Sequence, residues 1–203
     1  KAGLHRSVAV IGFQKMSELS SRDAAERMGR GADIIWESPF GITMPSGYAM
    51  YARAHFATYG TTEKDLALIR VKNSHYGAMN PKATYRKELS LEEILASDPV
   101  ATPLKVFDCC ANADGAACIL LASEDHARRI ARRPVWLDGM GCATASMSVL
   151  RRPDLVGLPS AADAARQAYA MAGIAPRDVK VAEVHDCFTI AEIMAYEDLG
   201  FCA

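Results

Sequence analysis

The chain has 203 residues, of which 50% are hydrophobic, 23% charged and 7% aromatic, a balance that excludes disordered, collagen-like and coiled-coil classes. Its 23 Lys and Arg are matched by 24 Asp and Glu, for a net charge of -1, so nucleic acid is not an expected partner. The longest apolar runs, residues 8–13 and 116–122, are of strand length and far short of the roughly 20 residues a membrane-spanning helix needs.

In chain order, Ser7-Val8-Ala9-Val10-Ile11-Gly12-Phe13 is a β-branched run that reads as a strand buried on both faces. Residues 20–33 turn polar and contain glycine, and residues 36–47, with two prolines and two glycines among apolar side chains, read as an irregular, packed loop. Tyr48, Tyr51, Ala52, His55, Phe56 and Tyr59 then recur at helical spacing, with Gly60 as the stop; this aromatic stripe is expected in the core. A second helix opens at Thr62, with Asp65 at its third position, and buries Leu66 and Ile69; a third opens at Ser90, where Glu93 completes a capping box ahead of Ile94 and Leu95. The polar stretch from Lys72 to Pro81 between them reads as a loop, with His75 facing solvent.

Strand character returns at Lys105-Val106-Phe107 and at residues 116–122, followed by a short helix over 123–132 and a strand at Val135-Trp136-Leu137. Ser160 is the expected cap of a helix whose Ala161, Ala164, Ala165, Ala168 and Ala172 face one way, small enough for close packing on a sheet, with Gly173 ending it. Val179, Val181 and Val184 mark a further strand, and Thr189 with Glu192 a capping box for a last helix that buries Ile190, Ile193 and Met194 and stops at Gly200.

The six cysteines, Cys109, Cys110, Cys118, Cys142, Cys187 and Cys202, form no CxxC pair and have no matching histidine spacing, so no metal site is indicated and reduced, mostly buried thiols are expected. With no targeting segment read, the expected compartment is the cytoplasm. Lys1-Ala2-Gly3-Leu4-His5 resembles neither an initiator methionine nor a signal peptide, and both ends read as cut rather than finished. The most informative feature by position is His185-Asp186-Cys187-Phe188, between the last strand and the last helix. Open α/β sheets place ligand and catalytic groups there, and a histidine so placed either donates to a developing oxyanion or satisfies a loop carbonyl.

His185-Asp186-Cys187-Phe188 resembles the HDCF motif of the sterol-carrier-protein-type branch of the thiolase superfamily. Gly12-Phe13-Gln14-Lys15-Met16-Ser17, Tyr59-Gly60-Thr61-Thr62, Lys72-Asn73, Asn80-Pro81-Lys82-Ala83, the stretch from Cys109-Cys110 to Asp114-Gly115-Ala116-Ala117, and Tyr196-Glu197-Asp198-Leu199-Gly200 agree with that family in order. The resemblance implies an α/β thiolase fold of two related halves with an inserted helical loop domain. Residues 1–24 and 104–133 would belong to the first half, 25–103 to the loop domain and 134–203 to the start of the second half.

It also implies reversible Claisen chemistry on acyl-CoA thioesters, with coenzyme A as part of the substrate and no covalently held cofactor. In that reading His185 helps build the enolate oxyanion hole, Phe188 lines the acyl pocket and Cys187 borders it. Cys110 and Asn112 contact the pantetheine amides, while Met44 and Tyr48 contribute to the substrate cover. The family's nucleophilic cysteine falls before the strand at Ser7, and its Gly-His-Pro base and second cysteine fall beyond Ala203; none of Cys109, Cys110 and Cys187 sits in a nucleophile motif. The stretches Trp36-Glu37-Ser38-Pro39-Phe40-Gly41 and Asn80-Pro81-Lys82-Ala83 resemble microbial acetyl-CoA acetyltransferase-like members. Alternatives are a retro-aldolase of steroid side-chain CoA thioesters acting with a small zinc-ribbon partner, and a non-catalytic segment binding CoA thioesters or a partner. The resemblance further implies a homo-oligomer, a dimer or tetramer.

Overall fold

A computed structural model describes residues 3–202, so Lys1, Ala2 and Ala203, on which the expectation of cut ends partly rests, lie outside the described residues. Strand β1 (Ser7–Gln14) leads to α1 (Ser21–Gly29), a helix in the stretch read only as polar. The Ser20 hydroxyl caps it by accepting from the Asp23 amide at 3.1 Å, and its Ala24 is buried. Helix α2 (Met44–Tyr59) begins inside the expected loop, because Thr43 and Ser46 form a capping box and Pro45 suits the first turn; Gly60 at φ 75° ends it. Helix α3 (Glu63–Met79) and α4 (Leu91–Leu95) carry the expected boxes at Thr62/Asp65 and Ser90/Glu93.

The expected loop from Lys72 is helical as far as Met79. Its polar side chains are spent on tertiary contacts that hold the helix, which local pattern does not reveal. Strands β2 (Pro99–Ala101) and β3 (Leu104–Lys105) pair antiparallel, and Val106–Asp108 is a 3-10 turn rather than a continuing strand. Strand β4 (Gly115–Ala122) and α5 (Glu124–Ile130) follow, then α6 (Pro159–Ala172) and α7 (Thr189–Asp198).

β1 and β4 pair antiparallel from Ser7 opposite Ala122 to Gln14 opposite Gly115. Their ladder is complete, yet the sheet has only these two strands and β1 is exposed along its length, contrary to the two-faced burial expected of it. An apolar strand sequence sets the ladder, but burial needs a covering layer, and none lies over this sheet among the described residues. Residues 135–137 and 179–184 likewise join no strand among the described residues, and Val135 is 96% exposed.

The core is helical. Ala49, Tyr51, Ala52, Leu66, Leu104, Phe188, Ile190 and Met194 cluster where α2, α3 and α7 meet. Leu66, Leu104, Ile190 and Met194 are fully buried, each contributing about 1.5–3 kcal/mol of transfer free energy. In the aromatic stripe, Tyr51 and His55 are buried but Tyr59 is exposed. The His55 ring Nε2 lies 3.0 Å from Glu197 Oε2 and Nδ1 lies 2.8 Å from Thr61 Oγ1. A carboxylate only accepts, so Nε2 donates to it and ties α2 to α7.

Helix α6 is capped at Leu158 with Pro159 in the first turn, not at Ser160. Its alanines meet the segment 139–141 instead of a sheet: a Cβ on Gly141 would sit 1.8 Å from the Ala164 carbonyl oxygen, and one on Gly139 2.2 Å from that of Ala168. No helix among the described residues is long and apolar enough to cross a membrane.

Thr189 and Glu192 make no capping box, since Phe188 is the N-cap and both side chains serve other elements. Thr189 donates to buried Asp108 at 2.8 Å. Glu192, 2% exposed, accepts from Lys72 Nζ at 2.7 Å, from Asn73 Nδ2 at 2.7 Å and from the Tyr196 hydroxyl. Burial opposes its charge, but these donors hold its carboxyl below the ordinary glutamate range.

Replacing Glu192 with Gln should therefore lower stability in urea titrations by about 2–3 kcal/mol, because it leaves Lys72 and its fellow donors without the carboxylate. Since the folded-state value lies below 4.5, the wild-type contribution should be complete at neutral pH, fade as pH falls below 4.5 through that lower value, and be missing from the E192Q titration. Gly141→Ala should cost about 1–3 kcal/mol by forcing α6 off the segment around Gly141, read as a lower thermal midpoint.

Candidate active site

A cavity of about 540 Å³ lies between α1, α2 and the turn before α7. Ser21, Ala25 and Met28 of α1 wall one side, Met44, Pro45 and Tyr48 of α2 a second, and Cys109, Cys110, Asn112, His185, Cys187 and Phe188 a third. Arg70, Tyr85, Val100, Val106 and Phe107 complete the lining.

All seven residues singled out from the sequence, Met44, Tyr48, Cys110, Asn112, His185, Cys187 and Phe188, thus share one cavity. Local pairing explains how the last turn reaches the loop at 109–112. Cys109 and Phe188 form an antiparallel bridge, and the Cys110 amide donates to the Cys187 carbonyl at 3.0 Å. The Asp108–Thr189 hydrogen bond closes the same junction one residue outward.

Phe188 is buried and stacks on Tyr48, with ring centroids 4.4 Å apart and planes at 24°. Burial, reinforced by a hydrogen bond with Cys187, raises the Tyr48 phenol well above its usual range, so it acts as a neutral hydroxyl. His185 is exposed on the cavity wall immediately before the α7 N-terminus, where free backbone donors and the helix dipole favour negative charge. Asp186 beside it accepts from Asn73 Nδ2 at 2.9 Å, which fixes the turn to α3.

The three cysteines at the cavity are thiols. Burial and the neighbouring Asp108 push Cys109 up to about 12, and burial likewise raises Cys110 and Cys187. The expectation of mostly buried cysteines fails: Cys110, Cys118, Cys142 and Cys202 are exposed and Cys109 and Cys187 half-buried, all six free. Of the exposed four, Cys118 lies on the bare strand β4.

Sequence reasoning did not find Met28, Arg70, Tyr85 or Phe107. Arg70 follows Ile69, a position read for burial, and nothing in its spacing marks a cavity residue. His75 is exposed as expected, though on a helix, with Glu88 Oε1 3.1 Å from its Nδ1.

Comparison with known proteins bears on the whole chain. Residues 141–203 match the family described as thiolase C-terminal domain-like. An acetyl-CoA acetyltransferase of Methanothermobacter thermautotrophicus is 37% identical over 200 residues, covering 98% of this chain and 52% of that protein. The solved structure of an Ltp2-ChsH2(DUF35) aldolase superposes with a TM-score of 0.79 at 29% identity, over 96% of this chain and 52% of the other. That of a monomeric SCP2-thiolase like protein type 1 from Mycobacterium smegmatis gives 0.74 at 22% identity, over 98% and 43%, and bears on the fold alone. The chain spans about half the length of the curated relatives it matches.

With a value near 12, about one Cys109 thiol in ten thousand is ionised at pH 8, so iodoacetamide followed by peptide mass spectrometry should label exposed Cys142 long before Cys109. Phe188→Ala should remove about 3–5 kcal/mol of stability and unstack Tyr48, seen as a changed tyrosine near-ultraviolet dichroism.

Proposed function

We propose that this chain, which is similar to thiolase-like proteins of the sterol-carrier-protein type and has an α/β thiolase fold, carries the acyl-binding wall and one oxyanion donor of an acyltransferase acting on acyl-CoA thioesters. The observation that carries this reading is the convergence of His185, Cys187 and Phe188 with Met44, Tyr48, Cys110 and Asn112 on one apolar cavity. Seventy residues and more separate the two groups in sequence, so their meeting is a product of the fold.

Claisen chemistry on a thioester develops negative charge on the thioester oxygen as the enolate or tetrahedral intermediate forms. A donor held at the wall lowers that barrier by meeting the charge as it appears. His185 has this role, aided by the positive end of α7. The Phe188–Tyr48 stack gives a rigid apolar surface for the acyl chain, and Asn112 offers amide hydrogen bonds to a pantetheine arm. Cys109, Cys110 and Cys187, held as thiols, bound the cavity and do not attack. Coenzyme A enters as part of the substrate and no resident cofactor is invoked. In this reading residues 25–103 act as the loop domain over the cavity, and the bare β1–β4 sheet supports assembly with a second copy.

One observation favours a second reaction on the same cavity. The TM-score of 0.79 to an aldolase, with 33% identity over 189 residues to a steroid side-chain-cleaving aldolase of Thermomonospora curvata, supports carbon–carbon cleavage of a steroid side-chain CoA thioester, with a partner protein as the solved structure's two-part name indicates. The two readings differ in covalent chemistry, since acyl transfer passes through an acyl-enzyme and retro-aldol cleavage does not.

Isothermal titration with acetoacetyl-CoA should show saturable binding that Tyr48→Ala and Phe188→Ala weaken about tenfold or more; no heat of binding to wild type would reject the reading. In the intact protein, a mass increase by the acyl group after incubation with acyl-CoA supports transfer, whereas product release from a steroid thioester with no adduct supports cleavage.

A further inference from the structure

The cavity contains one fixed positive charge and no negative one. Arg70, near the middle of α3, lies with its guanidinium carbon 5.4 Å from the centroid of the Tyr85 ring and 5.9 Å from that of Phe107. Its Nε is buried and has no hydrogen-bond partner, and no carboxylate lies within ion-pair distance among the described residues. No Asp or Glu lines the cavity.

Two aromatic faces attract a guanidinium but satisfy none of its in-plane N–H groups. Leaving the buried Nε–H unpaired costs free energy, and half-buried arginines ordinarily answer that cost with a carboxylate or phosphate taken up in bidentate fashion. Here the protein supplies none, while the cavity supplies space. We propose that Arg70 is a binding residue for an anionic oxygen group of the cavity's ligand, a carboxylate borne on the acyl part or a phosphate borne on its thiol carrier. This deepens the thioester reading and rests on it for the ligand's identity, though the anion site itself follows from the cavity and Arg70. Its consequence is specificity: the cavity prefers a ligand apolar along the Phe188–Tyr48 wall and anionic at the Arg70 end. Neutral ligands of equal size leave the guanidinium dry.

The test pairs anionic with neutral probes, none of them a thioester, in calorimetric titrations of the wild-type chain, Arg70→Gln and Arg70→Lys. The pairs are 4-phenylbutyrate with 4-phenylbutanol, and 4′-phosphopantetheine with pantetheine. Wild type should bind the anionic member of at least one pair about tenfold more tightly, R70K, which keeps the charge without the bidentate fork, should keep only part of that preference, and R70Q should lose it. Preference confined to phenylbutyrate assigns the anion to the acyl part, and preference confined to phosphopantetheine assigns it to the carrier. Equal affinities within both pairs for wild type, or a preference that R70Q retains, would overturn the proposal, and if R70Q fails to fold, a preference undiminished in R70K would overturn it as well. A surviving probe preference in a chain that binds no acyl-CoA would reject the thioester reading while leaving the anion site in place.

Discussion

Where α7 begins determines what the cavity is, and that position is fixed by buried polar contacts at the helix's first turn. Asp108 receives the Thr189 hydroxyl, and Glu192 gathers Lys72, Asn73 and the Tyr196 hydroxyl onto one carboxylate. Both carboxylates are buried, so each is stable in place only with its donors in place. A rotation or slide of α7 would strand them. The turn carrying His185, Cys187 and Phe188 is continuous with that helix and therefore inherits its rigidity.

Apolar packing sets the scale of the interaction and polar contacts set its register. Ile190 and Met194 supply non-directional apolar burial, whereas the contacts at Asp108, Glu192 and Glu197–His55 each need one particular partner in place. The Cys109–Phe188 bridge extends this register from the helix into the turn and brings the loop at 109–112 to the cavity. Stability and site geometry thus share the same residues. The β1–β4 sheet stands apart from this economy, with a full hydrogen-bond ladder but little burial.

Electrostatically the cavity is simple. Burial raises its three thiols and Tyr48, so that the fixed charge on its wall is Arg70, with His185 on the turn before α7. The two lie on different elements, α3 and the turn before α7, which the Asn73–Asp186 and Lys72–Glu192 contacts join. An apolar enclosure strengthens whatever charge interaction occurs within it, because water is not there to screen.

The sequence by itself determined the helices whose signals are local: the stripe from Tyr48 to Tyr59 stopped by Gly60, and the boxes at Thr62 and Ser90, each complete within a few residues. It also determined the β1–β4 ladder's strand character and, through motif order, seven of the residues that line the cavity. Tertiary structure decided the rest. Lys72 and Asn73 look like loop residues until Glu192 arrives from 119 or more positions away to receive them, and Thr189 looks like a cap until Asp108 takes its hydroxyl. Burial of β1 was legible as apolar pattern but depends on a neighbour, and Arg70 became a cavity residue only when Tyr85 and Phe107 closed around it. Caps and periodicity act between residues a turn apart, so the chain states them directly; a buried charge is explained only by the group it meets in space.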